Sequence, residues 1–170
     1  MNQVRYLSYK YSKKVNCSPK QIFDVVIDIK NYKNFIPFVT NSYHSLPYEI
    51  NHTSSSIVNS QSQQGNGTGG FDMNWNGYQE EISCQISYKV NQEIISRCET
   101  GVFKHLLVQW NFSPFKNNLT NKDQTNVELQ LDYEFNNFLY NNLSSLVNQQ
   151  LSKLMIKSFE KQVKIQNREI

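Results

Sequence analysis

Apolar residues recur at spacings of three and four through the last stretch of the chain: Leu139, Leu143, Leu146, Val147, Leu151, Leu154, Met155, Phe159 and Val163. That spacing predicts one amphipathic helix over residues 138–164, free of Gly and Pro and, at about 1.5 Å per residue, roughly 40 Å long. Upstream the period changes to two. Leu106/Val108/Trp110/Phe112 and Val127/Leu129/Leu131/Tyr133/Phe135 alternate with mostly polar neighbours, as do residues 81–88, so half-buried strands are expected over 71–78, 80–90, 93–99, 105–113 and 126–135. The connections at 90–92, 101–104 and 116–125 are short enough for hairpins, which makes an antiparallel meander the natural topology.

The first part of the chain adds an opening strand over Tyr6–Val15 and a marked helix start. Ser18 is a good N-cap, Pro19 occupies the first helical position and Gln21 falls three residues after the cap, with Ile22, Phe23, Val25, Val26 and Ile29 as the apolar face. A short turn over 31–35 follows, and Pro37 closes it. Residues 39–50 read as a strand interrupted at Pro47. Between 51 and 70 Ser, Asn, Gln and Gly dominate, and this stretch is expected to be a flexible, low-complexity insertion in a single domain spanning residues 1–170. The fold class is α+β, a curved antiparallel sheet wrapped around a long C-terminal helix.

Composition narrows the chemistry. Ten Tyr and ten Phe in 170 residues suit a β-rich protein or an aromatic-lined cavity, and the net charge of +3 neither demands nor excludes an anionic partner. Cys17, Cys84 and Cys98 are too few for a disulfide framework and lack zinc spacing. They are expected to be reduced and buried, a Cys84–Cys98 bridge across neighbouring strands being the alternative. No run of about 18 apolar residues is present. His44, His52 and His105 share no metal-ligand spacing, and His105 is read as a surface or turn residue. Gly65-Asn66-Gly67-Thr68-Gly69-Gly70 fits no phosphate-binding loop. Glu128, Asp132 and Glu134 lie on the polar side of a strand. No inward acid–base pair is evident, so no catalytic residue, metal or cofactor is assigned.

Three words of sequence, in this order of elements, carry a resemblance. They are Tyr32-Lys33-Asn34-Phe35-Ile36-Pro37-Phe38; then Gly101-Val102-Phe103-Lys104-His105-Leu106 leading into Trp110-Asn111-Phe112-Ser113-Pro114; then Leu131-Asp132-Tyr133-Glu134-Phe135. In these the chain resembles the coenzyme Q-binding proteins of mitochondria and their bacterial relatives, within the START and polyketide-cyclase superfamily. The likeness covers residues 11–164 apart from the low-complexity stretch, and the hairpin between 39 and 81 departs from the pattern. The resemblance implies a helix-grip fold whose tunnel holds ubiquinone or a polyprenyl intermediate without catalysis, at the matrix side of the mitochondrial inner membrane. It further implies a part in ubiquinone biosynthesis and in delivery to the respiratory chain.

On that basis the tunnel is assigned to Val108, Trp110, Phe112, Leu129, Leu131 and Tyr133 on the sheet and to Leu143, Val147, Leu151, Leu154, Met155 and Phe159 on the helix, with Pro37 and Phe38 at the mouth. Tyr43, Tyr88 or Tyr133 would offer a hydroxyl to the ring oxygens. Lys153, Lys157, Lys161, Lys164 and Arg168 fall within a stripe about 80° wide, suited to an anionic membrane surface or to an ordinary solvated flank. Apolar positions near the mouth would serve a homo-oligomer equally well. The alternatives are a ribosome- or RNA-associated module, with direct nucleic-acid binding the weaker option, and an aromatase or cyclase.

Overall fold

The computed structural model describes residues 6–50, 63–75, 77–116, 118–120 and 122–168. The strands are β1 (Tyr6–Val15), β2 (Val39–Ser45), β3 (Gln64–Trp75), β4 (Tyr78–Lys89), β5 (Glu93–Glu99), β6 (Phe103–Lys116) and β7 (Asp123–Phe135). They form one seven-stranded antiparallel sheet in the order β1-β7-β6-β5-β4-β3-β2. From β2 to β7 the sheet is a meander, and β1 closes it by pairing with β7 from Tyr6↔Glu134 to Val15↔Thr125. Along β7 the alternation is strict: Val127, Leu129, Leu131, Tyr133 and Phe135 are buried and the residues between them are not.

Two helical layers cover the inner face. Helix α1 (Pro19–Ile27) starts where the capping pattern places it, Ser18 Oγ accepting from the Gln21 N–H at 3.3 Å while Gln21 Oε1 accepts from the Ser18 N–H at 2.8 Å. A 3-10 turn (Ile29–Asn31) and the single-turn α2 (Tyr32–Phe35) follow. The last helical segment begins as a 3-10 turn (Phe138–Leu143), passes through a π turn (Leu146–Leu151) and becomes α-helical only in α3 (Ser152–Gln166). The predicted 138–164 helix is therefore correct in extent but not uniform in pitch. At the change, Ser152 Oγ donates to the Val147 carbonyl at 3.0 Å, giving a partner to a carbonyl in the widened turn.

Residues 64–70 correct the expectation of a flexible stretch. They are the first half of β3, paired with β4 from Gln64↔Lys89 to Gly70↔Ser83. Low side-chain content here reflects crowding: a Cβ on Gly67 would sit 2.1 Å from the Ser45 carbonyl oxygen, and one on Gly65 would sit 2.5 Å from Tyr88 Oη. The remainder of the expected insertion, 51–62, lies outside the described residues.

The cysteines are also corrected. Cys84 and Cys98 are directly opposed on β4 and β5 and form a disulfide, leaving Cys17 as the free thiol among the described residues. The outer face of the sheet carries ion pairs such as Lys10–Glu128 (2.9 Å) and Lys104–Glu134 (3.0 Å), which occupies two of the acids read as solvated.

Gly67→Ala is expected to destabilise the fold by about 1–3 kcal/mol, because the Ser45 backbone must shift to admit the methyl group. Urea denaturation followed by circular dichroism measures this, and a loss below about 0.5 kcal/mol would show that the β2–β3 approach is looser than described.

Candidate ligand cavity

The two halves of the last helical segment meet the sheet differently. In α3, Ile156, Phe159 and Val163 are 1%, 1% and 4% exposed. Phe159 is clamped by rings on three sides: Tyr32 at 5.3 Å, Trp110 at 5.4 Å and Phe35 at 6.0 Å between centroids. The stretch Phe138–Leu151 has no fully buried residue. Between it and the inner face of β3–β7 lies a cavity of about 190 Å³.

Most of the predicted tunnel residues meet at this cavity. Val108, Trp110, Leu129 and Leu131 form one wall, Leu143, Val147, Leu151 and Met155 the opposite one, and Phe38 an end. Five do not line it. Pro37 is exposed beside buried Phe38, and Leu154 is rotated off the wall along the helix. Phe112 packs edge-on against Phe23 of α1, Phe159 fills the aromatic clamp, and Tyr133 packs between Phe103 and Phe135. These three follow the inward alternation but fill core, because periodicity fixes which face a side chain is on and not how far along that face the void extends.

The wall that sequence reasoning missed belongs to β3, β4 and β5: Phe71, Met73, Trp75, Ile82 and the Cys84–Cys98 pair. The signal was the shared parity of 71, 73 and 75 and of 82 and 84, obscured by the Gly-rich run before it. Gly69 also lines the cavity, where a Cβ would approach Ile86 Cδ1 to 2.9 Å. The turn Gly101–Phe103 adds Val102 and Phe103 to the lining.

The tyrosines offered for the ring oxygens are placed elsewhere. Tyr43 is 44% exposed. Tyr88 packs against Phe23 and Tyr48 with its hydroxyl pushed towards higher pKa by burial, and Tyr133 Oη donates to Asn148 Oδ1 at 2.9 Å. None of the three lines the cavity. Tyr32 does, but its hydroxyl is committed to the Val26 carbonyl at 2.5 Å.

Outside the cavity, His44 Nε2 lies 3.4 Å from Asp28 Oδ1 beside a polar hollow, and His105 is exposed and stacked on Tyr6. His52 lies outside the described residues. Among the described residues no group of His, Cys, Asp and Glu is arranged to hold a metal ion. Lys153, Lys157, Lys161, Lys164 and Arg168 are all exposed, on the side of α3 opposite its buried residues, and Lys164 pairs with Glu160 at 3.5 Å. Among the described residues no helix is long and apolar enough to cross a membrane.

A curved antiparallel sheet gripping a C-terminal helix, with an apolar cavity between the two, defines a helix-grip protein of the START-like class. The chain belongs to the polyketide cyclase/dehydrase and lipid transport family, whose model matches residues 15–160. It is similar to the mitochondrial coenzyme Q-binding protein COQ10 homolog B of Xenopus laevis, 27% identical over 92% of this chain and 57% of that one. It is also similar to the mitochondrial coenzyme Q-binding protein COQ10 of Saccharomyces cerevisiae, 24% identical over 93% of this chain and 71% of that one. The chain thus spans little more than half of the frog relative. A ribosome association toxin, RatA of Escherichia coli, is 25% identical over 84% of this chain and 77% of its own. In structure the chain resembles a START superfamily protein of Mycobacterium smegmatis (TM-score 0.66, 15% identity, 94% and 98% of the two chains). It resembles equally the Zhui aromatase/cyclase of Streptomyces sp. R1128 (TM-score 0.68, 10% identity, 94% of each chain). At such identities the structural likenesses show the fold alone.

The cavity wall gives a thiol test. Burial, and then the negative charge of Glu160, push the Cys17 thiol up to about 11, so at neutral pH it is both protonated and enclosed. The native protein is expected to show no thiol reactive towards Ellman's reagent, one after denaturation and three after denaturation with reductant. Three without reductant would contradict the Cys84–Cys98 disulfide.

Proposed function

We propose that the chain is a non-catalytic carrier of coenzyme Q or a related polyprenyl intermediate. The observation that carries this reading is the apolar cavity of about 190 Å³ beneath the irregular part of the last helix, in a chain similar to proteins named for binding coenzyme Q. An apolar cavity of about 150 Å³ is enough to take a benzene ring, so an unsubstituted six-membered ring fits the space as it stands. A long isoprenoid tail does not. It displaces the wall where the backbone is least regular, along Phe138–Leu151. Affinity comes from apolar area removed from water, at roughly 25 cal/mol per Å².

The setting follows the same line. The relatives are named as mitochondrial, and the reading places this protein at the matrix face of the inner membrane, aiding quinone biosynthesis and delivery to the respiratory chain. The exposed lysines of α3 would hold it against anionic lipid at about 1 kcal/mol each. No catalytic cofactor or metal enters this account, and the bound lipid is cargo.

Organic extraction and mass spectrometry of the purified protein, read against an unrelated protein of similar size from the same cells, are expected to recover quinone in near-stoichiometric amount. Added quinone at about a hundred times its Kd should raise the melting temperature by about 5–10 °C. Leu151→Asp and Val108→Asp each place a carboxylate in the cavity wall and are expected to weaken quinone binding at least a hundredfold while the circular dichroism stays native. Unchanged binding by a folded variant would remove the assignment. The lysine stripe and the RatA likeness support one other reading, a ribosome-associated module. No lipid, no melting shift and salt-sensitive cosedimentation with ribosomes would favour it.

A further inference from the structure

Trp75 closes β3 at the tip of the β3–β4 hairpin and lines the cavity. Its ring is set edge-on against Phe38, with centroids 5.4 Å apart and planes at 84°. Its indole Nε1 is buried, and no hydrogen-bond partner reaches it. A buried indole N–H ordinarily finds an acceptor, and leaving one unsatisfied costs about 1–3 kcal/mol. The acceptor is therefore to be sought in what the cavity binds.

The wall also carries the hydroxyls of Ser96 and Tyr78, but among the described residues Trp75 is the one lining side chain whose polar atom is buried without a partner. The Tyr32 hydroxyl donates to the Val26 carbonyl and the Ser152 hydroxyl to that of Val147, while the Glu80 carboxylate at the hairpin end only accepts when ionised. We propose that the Trp75 indole N–H is the polar anchor of the cavity, donating to a carbonyl oxygen of the ligand's ring and fixing the ring at the Phe38 end. This rests on the carrier reading and specifies its ligand: a ring bearing an acceptor oxygen, preferred over a hydrocarbon of the same shape. The anchor escapes a search of the sequence for tyrosine hydroxyls because its donor is an indole on a hairpin whose neighbours are polar.

The test compares duroquinone with durene, which share a tetramethylated ring and differ in the two carbonyl groups. The chain has two Trp residues, so its nitrogen–proton correlation spectrum carries two indole signals, that of Trp75 being the one lost in Trp75→Phe. Titration of the unaltered protein is expected to move the Trp75 signal downfield with duroquinone and to leave it near its starting position with durene. Trp75→Phe keeps an aromatic ring against Phe38 but removes the donor. It is expected to weaken duroquinone binding about tenfold and durene binding less than twofold. Equal weakening of both ligands, no weakening of either, or the same displacement of the indole signal by both would overturn the anchor and leave the cavity as a hydrocarbon site. If the unaltered protein binds neither ligand, the carrier reading itself fails and the anchor falls with it.

Discussion

The structure depends on one ring being held from three sides. Phe159 projects from α3 into a clamp made by Tyr32, Phe35 and Trp110, and so ties the last helix at once to the short helical turn after α1 and to the middle of the sheet. A concave sheet offers more apolar area than one helix can touch along its whole length. The clamp decides where contact is made. Around Phe159 the side chains meet at core density, and Lys13 adds a 2.6 Å ion pair to Glu160 from the first strand. Burial would raise the pKa of Glu160, but its bonds to Lys13 and Lys164 prevail and lower it. The carboxylate is therefore charged, and its contribution to stability is held above the ordinary carboxylate range and lost as pH falls through the depressed value.

With the C-terminal half of the segment docked, the half that precedes it touches the sheet at only a few points, such as Asn148 on Tyr133, and none of its residues is fully buried. The change of pitch at Leu146–Leu151 lies over the gap, and the Ser152 hydroxyl gives the Val147 carbonyl a partner there. The gap stays apolar because every strand from β3 to β7 presents its inward set to it. It stays open in part because Gly69, with no Cβ, keeps β3 close to Ile86 and Ile29 without filling the space. Density at one end of a helix and a void under the other are thus one arrangement.

Periodicity made much of this legible before any coordinates. Alternation located β4 to β7 and their inward faces, the Ser18–Gln21 capping pair located α1, and the spacing of leucines located the final helix. What it did not carry has physical reasons. A Gly-rich run has no alternation to read, so the first half of β3 looked structureless although backbone crowding demands those glycines. Inward orientation does not separate wall from core, so Phe112, Tyr133 and Phe159 were grouped with residues that border the void. The Cys84–Cys98 bridge needs the register of β4 against β5, which spacing alone does not supply. Uniform spacing of leucines likewise conceals a change of helical pitch.

The central claim is that the space between the sheet and the irregular half of the last helix is where a quinone ring resides. Intermolecular nuclear Overhauser effects between the ring methyl and methoxy protons of a short-tailed ubiquinone and the protein's methyl groups test it most directly. The account predicts contacts to Val108, Leu131, Val147 and Leu151, on opposite walls of the cavity. Contacts confined to exposed methyl groups such as those of Leu119 and Ile165 would contradict it.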